Sequence, residues 1–259
     1  MAKPIAVQLY SLRQYAEKDF VGVLKRVAEI GYKAVEPAGF WDLSPAEFKK
    51  ITDDLGLQIC STHIGGHRDP EQVDQNAEIL KTLGVDLVCT GCGGGDFKDI
   101  DSMKRAADVT NEIVEKYKKY GITVFQHNHY WEFARLDDQI KYDLYMQYCP
   151  DVKIELDAFW ATNNFVEDPV AITEKYADRI VLLHMKDGNK VPRKGEESLS
   201  YDLRALGTGM MPIADVIGKT ADCCRNVIVE LDFCNIEMWD AIEQSYHYLV
   251  DNGLAEGNK

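Results

Sequence analysis

Apolar runs that stop abruptly at polar residues recur along the chain. Residues 180–183 are continuously apolar, which is the pattern of a strand buried on both faces. The run leads directly into His184, with Lys186 and Asp187 close behind. In folds that alternate strands and helices, the chemistry lies at the C-terminal ends of such strands. This stretch therefore predicts a functional site.

Three further apolar runs share this design, and they lead into His127, Asp157 and Glu230. Segments with apolar residues at helical spacing lie between the runs. Because the carboxyl ends of parallel strands meet at one edge of a sheet, we expect these side chains to converge.

Boundary signals for helices separate the runs. Asp19 is expected to cap a first helix, and Gly31 is expected to end it. The sequence Ser44-Pro-Ala-Glu47 has the form of a capping box with proline at the first helical position. Asn235 is expected to cap the last helix.

The order of these elements predicts the fold. Alternating strands and helices indicate a parallel sheet, and eight such units of about 30 residues indicate a closed (β/α)8 barrel. We therefore expect an α/β fold with a single domain over residues 1–259; an open, doubly wound sheet is the alternative. Residues 188–211 carry no clear helix or strand signal, and we expect them to cover the C-terminal face of the barrel.

Composition narrows the class of protein. Hydrophobic residues make up 46% of the chain and charged residues 28%, as in an ordinary globular protein. The formal net charge of −14 argues against a nucleic-acid partner. No apolar run approaches the roughly 18 residues that a membrane span needs. No signal peptide is evident before the first strand, so we expect a cytoplasmic protein without a membrane anchor.

Cysteine usage agrees with a reducing compartment. The chain has seven cysteines, an odd number that fits free thiols better than a disulfide framework. Cys89 and Cys92 have CxxC spacing, but no second pair of cysteines or histidines follows at the spacing of a zinc site. We interpret them as two small residues near a strand end.

The polar strand ends suit a metal ion. Asp157, His184 and Glu230 combine carboxylates with an imidazole, a set that fits a divalent ion such as Mn²⁺, Mg²⁺ or Co²⁺, with Zn²⁺ as a further choice. The alternative is that each side chain caps the helix that follows it. The fourth ligand stays open at this point, because His127, His129 and Glu132 all lie on or just after the strand at 123–127.

Six short segments together resemble the xylose isomerase-like barrel superfamily, the group of sugar phosphate isomerases and epimerases that includes inosose dehydratases. They are Val7-Gln-Leu-Tyr-Ser-Leu12, His127-Asn-His-Tyr-Trp-Glu-Phe133, Glu155-Leu-Asp-Ala-Phe-Trp160, His184-Met-Lys-Asp187, Gly207-Thr-Gly209 and Val229-Glu-Leu-Asp232. The resemblance implies a (β/α)8 barrel that holds one divalent metal ion, with Mn²⁺ as the first choice. Its ligands are expected to be Glu132, Asp157, His184 and Glu230. Many relatives carry the first glutamate where this chain has His127.

The chemistry and position of the other polar and aromatic residues suggest further roles. His127, His129, Lys186 and Glu230 are candidates for proton transfer or for neutralising an oxyanion. His63, Trp131 and Trp160 are candidates for contacting a sugar, and the two tryptophans equally suit a place in the core.

Three functions remain open on the sequence. The first is a metal-dependent sugar isomerase or epimerase that removes an α-proton and stabilises an enediolate with the metal. The second is a dehydratase or β-eliminating lyase that acts on a keto-sugar, keto-glycoside or inosose. The third is a non-catalytic sugar-binding barrel. All three predict a small carbohydrate as partner; the sequence is compatible with a homo-oligomer and does not determine the assembly.

Overall fold

A computed structural model of the chain describes residues 2–191 and 202–259. Within these residues, eight parallel strands follow one another along the chain. They are β1 (Lys3–Gln8), β2 (Ala34–Glu36), β3 (Gln58–Ile59), β4 (Leu87–Gly91), β5 (Thr123–His127), β6 (Lys153–Asp157), β7 (Ile180–Met185) and β8 (Asn226–Val229).

The sheet curls around so that its strands neighbour one another in cyclic order. Hydrogen-bonded neighbours run β3-β2-β1-β8-β7-β6-β5-β4. The first and last strands of that order approach at one point, where the Cys89 amide donates to the Thr62 carbonyl at 3.3 Å. The arrangement is the strand order of a (β/α)8 barrel.

Helices follow the strands on the outside of the sheet. The helices are α1 (Arg13–Ile30), α2 (Pro45–Asp54), α3 (Val73–Leu83), α4 (Ile100–Lys118), α5 (Lys141–Tyr148), α6 (Ala158–Ala161), α7 (Pro169–Tyr176), α8 (Ile213–Gly218) and α9 (Met238–Asp251). Short 3-10 turns cover Leu9–Leu12, Pro70–Gln72, Gly94–Phe97 and Trp131–Phe133. Among the described residues, no helix is both long and apolar enough to cross a membrane.

The helix boundaries agree with the sequence at Ser44 and Gly31 and differ from it at Asp19 and Asn235. The capping box of α2 is formed, and Gly31 ends α1 with a φ of 117°. Helix α1 starts earlier than predicted, and Asp19 interrupts it with a non-helical turn in which its carboxylate accepts from the Gly22 amide. The prediction for Asn235 is wrong, because the cap of α9 is Glu237, whose carboxylate accepts from two backbone amides of the first turn.

The two faces of each strand separate the helix-facing core from the interior of the barrel. A large apolar cluster packs between strands and helices, whereas a smaller one lines the other face of the strands. Residues two positions beyond members of the smaller cluster continue its face toward the C-terminal ends. These residues are Gln8, Glu36, His127, His184 and Glu230. The interior of the barrel thus changes from apolar to polar within two residues along five strands.

The segment after β7 has more structure than predicted. Asp187–Asn189 and Asp202–Arg204 form a short antiparallel hairpin at the C-terminal end of β7, and residues 192–201 lie outside the described residues. The Asp187 carboxylate accepts from the backbone amides of Gly188, Gly207, Gly209 and Met211 at 2.7–3.0 Å. A Cβ on Gly209 would lie 2.2 Å from an Asp187 carboxylate oxygen, so this close approach requires glycine.

All seven cysteines are free thiols. Cys89 and Cys92 are buried. The Arg68 guanidinium donates to the Cys92 sulfur at 2.5 Å, and burial raises the pKa of this thiol to about 11. Cys92 is therefore a protonated packing residue at neutral pH.

Replacing Asp187 with alanine should loosen the base of the 188–211 segment. The substitution leaves four backbone amides without their shared acceptor, and one hydrogen bond to a charged group is worth roughly 1.5–3 kcal/mol. We expect the free energy of unfolding, measured with urea, to fall by about 3 kcal/mol. The exposed Asp222→Ala should change it by less than about 0.5 kcal/mol. Equal stability of Asp187→Ala and wild type would show that the carboxylate does not hold this segment.

Candidate active site

Five of the barrel strands deliver ionisable side chains to one place at their C-terminal ends. Glu36 ends β2, His127 ends β5, His184 lies on β7 and Glu230 follows β8. Strand β6 contributes Glu155 and Asp157, which are two residues apart and so share a face. Each of these six side chains is at least nine-tenths buried.

An outer group contains three of the four predicted metal ligands. The ligand atoms of Asp157, His184, Glu230 and His127 all lie within 4.8 Å of one another. His184 presents Nδ1 to Glu230 Oε2 at 2.8 Å. The Asp157 Oδ1 atom accepts from the Trp160 amide at 2.9 Å, so this carboxylate also caps the short helix α6. Ligand and helix cap, which the sequence offered as alternatives, are compatible in Asp157.

Glu132, the fourth predicted ligand, is not part of either group of ligand atoms found among the described residues. It is fully buried in the turn after β5, and its Oε2 atom accepts from the His129 amide at 3.0 Å. Its Oε1 atom is buried without a hydrogen-bond partner. Burial, with the negative charge of Asp157 adding to it, raises the pKa of Glu132 to about 8.

Lys186 supplies a buried positive charge to the outer group. The side chain is fully buried; its ammonium lies 2.5 Å from Asp157 Oδ2 and in short contact with Glu230 Oε2. Asp232 Oδ2 is 3.5 Å away. Burial alone would lower the pKa of Lys186, but the surrounding carboxylates raise it well above its usual range. The residue is thus a permanent cation in the interior of the protein.

An inner group lies deeper in the barrel, around Glu155, two residues before Asp157 on β6. This group was not predicted from the sequence. His63, His127 and His184 surround the carboxylate of Glu155. His63 Nε2 is 2.8 Å from Glu155 Oε2, His127 Nδ1 is 3.2 Å from the same atom, and His184 Nε2 is 3.2 Å from Oε1. The signal for Glu155 was available, because a residue two positions before Asp157 must share its face.

Glu36 closes the inner group from the side of β2. Its Oε2 atom lies 2.7 Å from His184 Nε2 and accepts from the Gln8 amide group at 2.7 Å. The Ser61 hydroxyl donates to its other oxygen in a short contact. The strand 34–36 ends in this glutamate just as the other apolar runs end in polar residues, so the same signal could have identified it.

The electrostatics of the site reflect a shortage of positive charge. Burial alone would lower the pKa of His184, but three neighbouring carboxylates raise it well above its usual range. Burial alone would raise the pKa of Glu155, but the imidazoles of His184 and His63 hold it well below its usual range. Burial and the charge of Glu155 raise the pKa of Glu36. The carboxylates therefore draw protons onto the histidines, and a bound cation would relieve the same demand.

A small cavity of about 220 Å³ opens onto both groups. It is lined by Gln8, Tyr10, Ala38, His63, His127, His129, Glu230 and Asp232. This volume lies below the roughly 300–1,000 Å³ of pockets for drug-sized ligands. The cavity therefore suits a small polar molecule.

The predicted aromatic residues differ in their relation to the cavity. The Trp131 ring stacks on His129, with ring centroids 4.3 Å apart. Trp160 is 6% exposed and packs in the core, and the Lys186 ammonium lies 5.5 Å from its ring centroid. Burial, together with the charges of His127 and Lys186, lowers the pKa of His129 to about 3. His129 is therefore a neutral ring at the cavity wall.

The sequence matches the model of the xylose isomerase-like TIM barrel family over residues 24–222. Since this match covers well over half of the chain, the protein belongs to that family, and the predicted (β/α)8 barrel is confirmed. A comparison with curated proteins gives no match.

Solved structures similar to this one span isomerases, epimerases and dehydratases. A sugar phosphate isomerase/epimerase from Parabacteroides distasonis ATCC 8503 is 25% identical, with a TM-score of 0.76 over 99% of this chain and 96% of that one. A probable 3-DHS dehydratase from Bacillus anthracis is 14% identical, with a TM-score of 0.74 over 95% and 98%. The IOLI protein, solved with a bound zinc atom, is 15% identical, with a TM-score of 0.73 over 97% of each chain. The last two likenesses show the fold.

Replacing Lys186 with methionine should destabilise the protein unless a metal ion is present. Removing one partner of a buried ion pair typically costs roughly 3–5 kcal/mol, because the remaining charge is left without compensation. We expect a loss of this size in urea unfolding with EDTA, and a larger gain from added Mn²⁺ in the variant than in wild type. The matched control is Lys219→Met, which removes a solvent-exposed ion pair and should leave the stability close to that of wild type. Unchanged stability of Lys186→Met in EDTA would contradict the charge balance described above.

Proposed function

We propose that the protein is a divalent-metal-dependent sugar isomerase or epimerase that works by removing a proton next to a carbonyl group. The observation that carries this proposal is the convergence of Asp157, His184 and Glu230 beside a small polar cavity. The family assignment and the sugar phosphate isomerase/epimerase likeness support the reaction class. The substrate class follows from them: a small carbohydrate with a carbonyl group.

The donor set fits a divalent ion. Asp157, His184 and Glu230 supply two carboxylates and one imidazole, and we assign the fourth position to Glu132. Its buried Oε1 atom has no hydrogen-bond partner, and an unpaired carboxylate at this depth is costly unless a cation lies beside it. His127, the alternative ligand, presents Nδ1 to Glu155 instead. Three carboxylates and one imidazole favour Mn²⁺ or Mg²⁺, although Co²⁺ and Zn²⁺ also use such ligands.

The charge and position of each side chain suggest its role in the reaction. When bound, the ion supplies positive charge to the two substrate oxygens next to the carbon that loses its proton. Lys186 stays protonated, so it is a hydrogen-bond donor and a fixed charge for a developing oxyanion, not a base. Among the four proposed ligands, Glu230 is the one that lines the cavity, where a bound substrate would lie. We therefore assign proton removal to Glu230.

The two histidines expected to move protons take other roles in this proposal. His129 has a pKa of about 3, which gives a neutral ring little capacity to hold a proton during the reaction. We assign to it, with Trp131, the side wall against which the sugar binds. His63 lines the same cavity and is 21% exposed in its side chain, which suits a contact with substrate hydroxyls.

A dehydratase begins with the same proton removal, so the ligand set is compatible with both reactions. The likeness to a probable 3-DHS dehydratase makes this the second candidate. The two differ only in whether the carbanion is reprotonated or expels a leaving group. The product of the reaction is therefore the measurement that separates them.

The metal assignment predicts the behaviour of single variants. His184→Ala and Glu132→Gln should each lose most of the Mn²⁺ that wild type retains after dialysis, because each removes one ligand. The matched control is the exposed His247→Ala, which should bind Mn²⁺ as wild type does. Metal content would be measured by atomic emission spectroscopy. Retention of Mn²⁺ in Glu132→Gln with loss in His127→Ala would replace Glu132 by His127 as the ligand.

The reaction class predicts exchange with solvent. In D₂O with Mn²⁺, a keto-sugar or inosose substrate should exchange its α-hydrogen for deuterium and give an isomer or epimer. Both changes would be measured by NMR. Loss of water or of another leaving group would instead establish the lyase. Glu230→Gln should lower kcat by roughly 10²–10⁴, the range for one acid–base group, whereas His129→Ala should keep kcat within about tenfold. Retention of the substrate hydrogen over many turnovers would exclude proton removal to solvent.

A further inference from the structure

The inner group of ionisable side chains consists of His63, His127 and Glu155, with the Nε2 side of His184. Two of its members, His127 and Glu155, have no role in the function proposed above. We propose that these residues form a second cation site, below the outer one in the barrel and distinct in the ions that it prefers. The proposal stands on geometry, unsatisfied atoms, charge and ligand type.

The geometry is that of a ligand set. The ligand atoms of the four side chains lie within 4.8 Å of one another. The three imidazole nitrogens approach the Glu155 oxygens at 2.8–3.2 Å. Ligands about 2.0–2.2 Å from a Zn²⁺-like ion are separated from one another by similar distances, so little rearrangement is needed to admit one.

Two of these atoms lack the hydrogen bonds that an ordinary polar network would give them. Both His127 Nδ1 and Glu155 Oε1 are buried and have no hydrogen-bond partner. Neighbouring side chains lie within hydrogen-bonding distance, but their orientation gives neither atom a hydrogen bond. Buried polar atoms are rarely left in this state, and a shared cation would satisfy both.

The buried carboxylates of the site outnumber the ammonium group that Lys186 contributes. Five carboxylates are buried here, Glu36, Glu132, Glu155, Asp157 and Glu230, and Lys186 is their buried ammonium partner. Lys186 contacts Asp157 and Glu230, whereas the inner carboxylates Glu36 and Glu155 have imidazoles as their neighbours. A cation in the inner group would lie beside these two carboxylates.

The type of ligand predicts which ion the inner site takes. His63, His127 and Glu155 supply two imidazoles and one carboxylate, a nitrogen-rich set that suits Zn²⁺ or Co²⁺. The outer set is rich in oxygen and suits Mn²⁺ or Mg²⁺. The cavity reaches both groups, since His63 and His127 line it together with Glu230, so an ion can enter from the mouth of the barrel.

His184 lies between the two sites and presents a different ring nitrogen to each. Its Nδ1 atom faces Glu230 in the outer group, and its Nε2 atom faces Glu36 and Glu155 in the inner group. With Nδ1 bound to an outer ion, the Nε2 atom can donate its hydrogen to Glu36. His63, His127 and Glu155 are then sufficient ligands for the inner ion.

The test counts ions on the whole protein. Metal-free protein would be dialysed against Co²⁺, and bound cobalt would be measured per chain. We expect two ions in wild type and in His247→Ala, and one in His63→Ala, whose inner Co²⁺ affinity should fall by about 100-fold. Asp157→Asn should also bind one ion, because it removes an outer ligand. Anomalous diffraction at the cobalt edge should show a peak beside His63 and Glu155 that is absent in His63→Ala.

The outcomes separate this proposal from the outer metal site. One ion in wild type that persists in His63→Ala and is lost in Asp157→Asn would overturn the inner site and leave the proposed function intact. One ion that is lost in His63→Ala and persists in Asp157→Asn would establish the inner site and refute the outer one. No binding in wild type would refute both.

A lower ion count in His63→Ala is informative only if the variant is folded. His63 lies at the cavity wall, so its truncation leaves the packed core in place. His63→Gln keeps more of the side-chain volume and a polar atom but offers a poor ligand for Co²⁺. We expect both variants to remain folded in EDTA, with a cooperative unfolding transition above the temperature of the binding measurement, and both to bind one ion. Full binding of two ions by a folded His63→Ala would also overturn the proposal.

Discussion

The constraint on which the rest of the site depends is the concentration of negative charge in a buried place. Burying a carboxylate is costly unless it is paired and hydrogen-bonded. Lys186 offsets part of this cost through Asp157 and Glu230, and Gln8 and Ser61 hold Glu36 by hydrogen bonds. The remaining positive charge comes from His63 and His184, whose pKa values the carboxylates raise although burial alone would lower them. Each buried carboxylate of the site therefore depends on a neighbouring positive charge or hydrogen-bond donor.

Much of this arrangement could be predicted because it depends on local patterns. The apolar runs identified the strands, and the position at which each run stops identified His127, Asp157, His184 and Glu230. The capping box at Ser44 formed because its two hydrogen bonds join residues three apart. Such features are decided by neighbours in sequence, so no knowledge of the tertiary fold is required.

The features that could not be predicted depend on contacts between distant residues. The hairpin after β7 pairs Gly188 with Leu203, across a segment whose pattern has no strand signal. Asn235 was chosen as a helix cap by residue type, but Glu237 reaches two amides from a position where glutamate is less usual. The burial of Lys186 depends on carboxylates from β6 and β8, which its own sequence surroundings do not reveal.

The spacing of residues along β6 explains why the two groups of side chains cannot behave independently. Glu155 and Asp157 stand on the same face of one strand, so they serve the inner and the outer group from a single rigid element. His184 faces both groups with its two ring nitrogens, and a ring that binds a cation through one nitrogen has its tautomer fixed at the other. Occupation of the outer group therefore sets which hydrogen-bonding role His184 can play toward Glu36 and Glu155. The charge at the mouth of the barrel and the charge within it are coupled through this one imidazole.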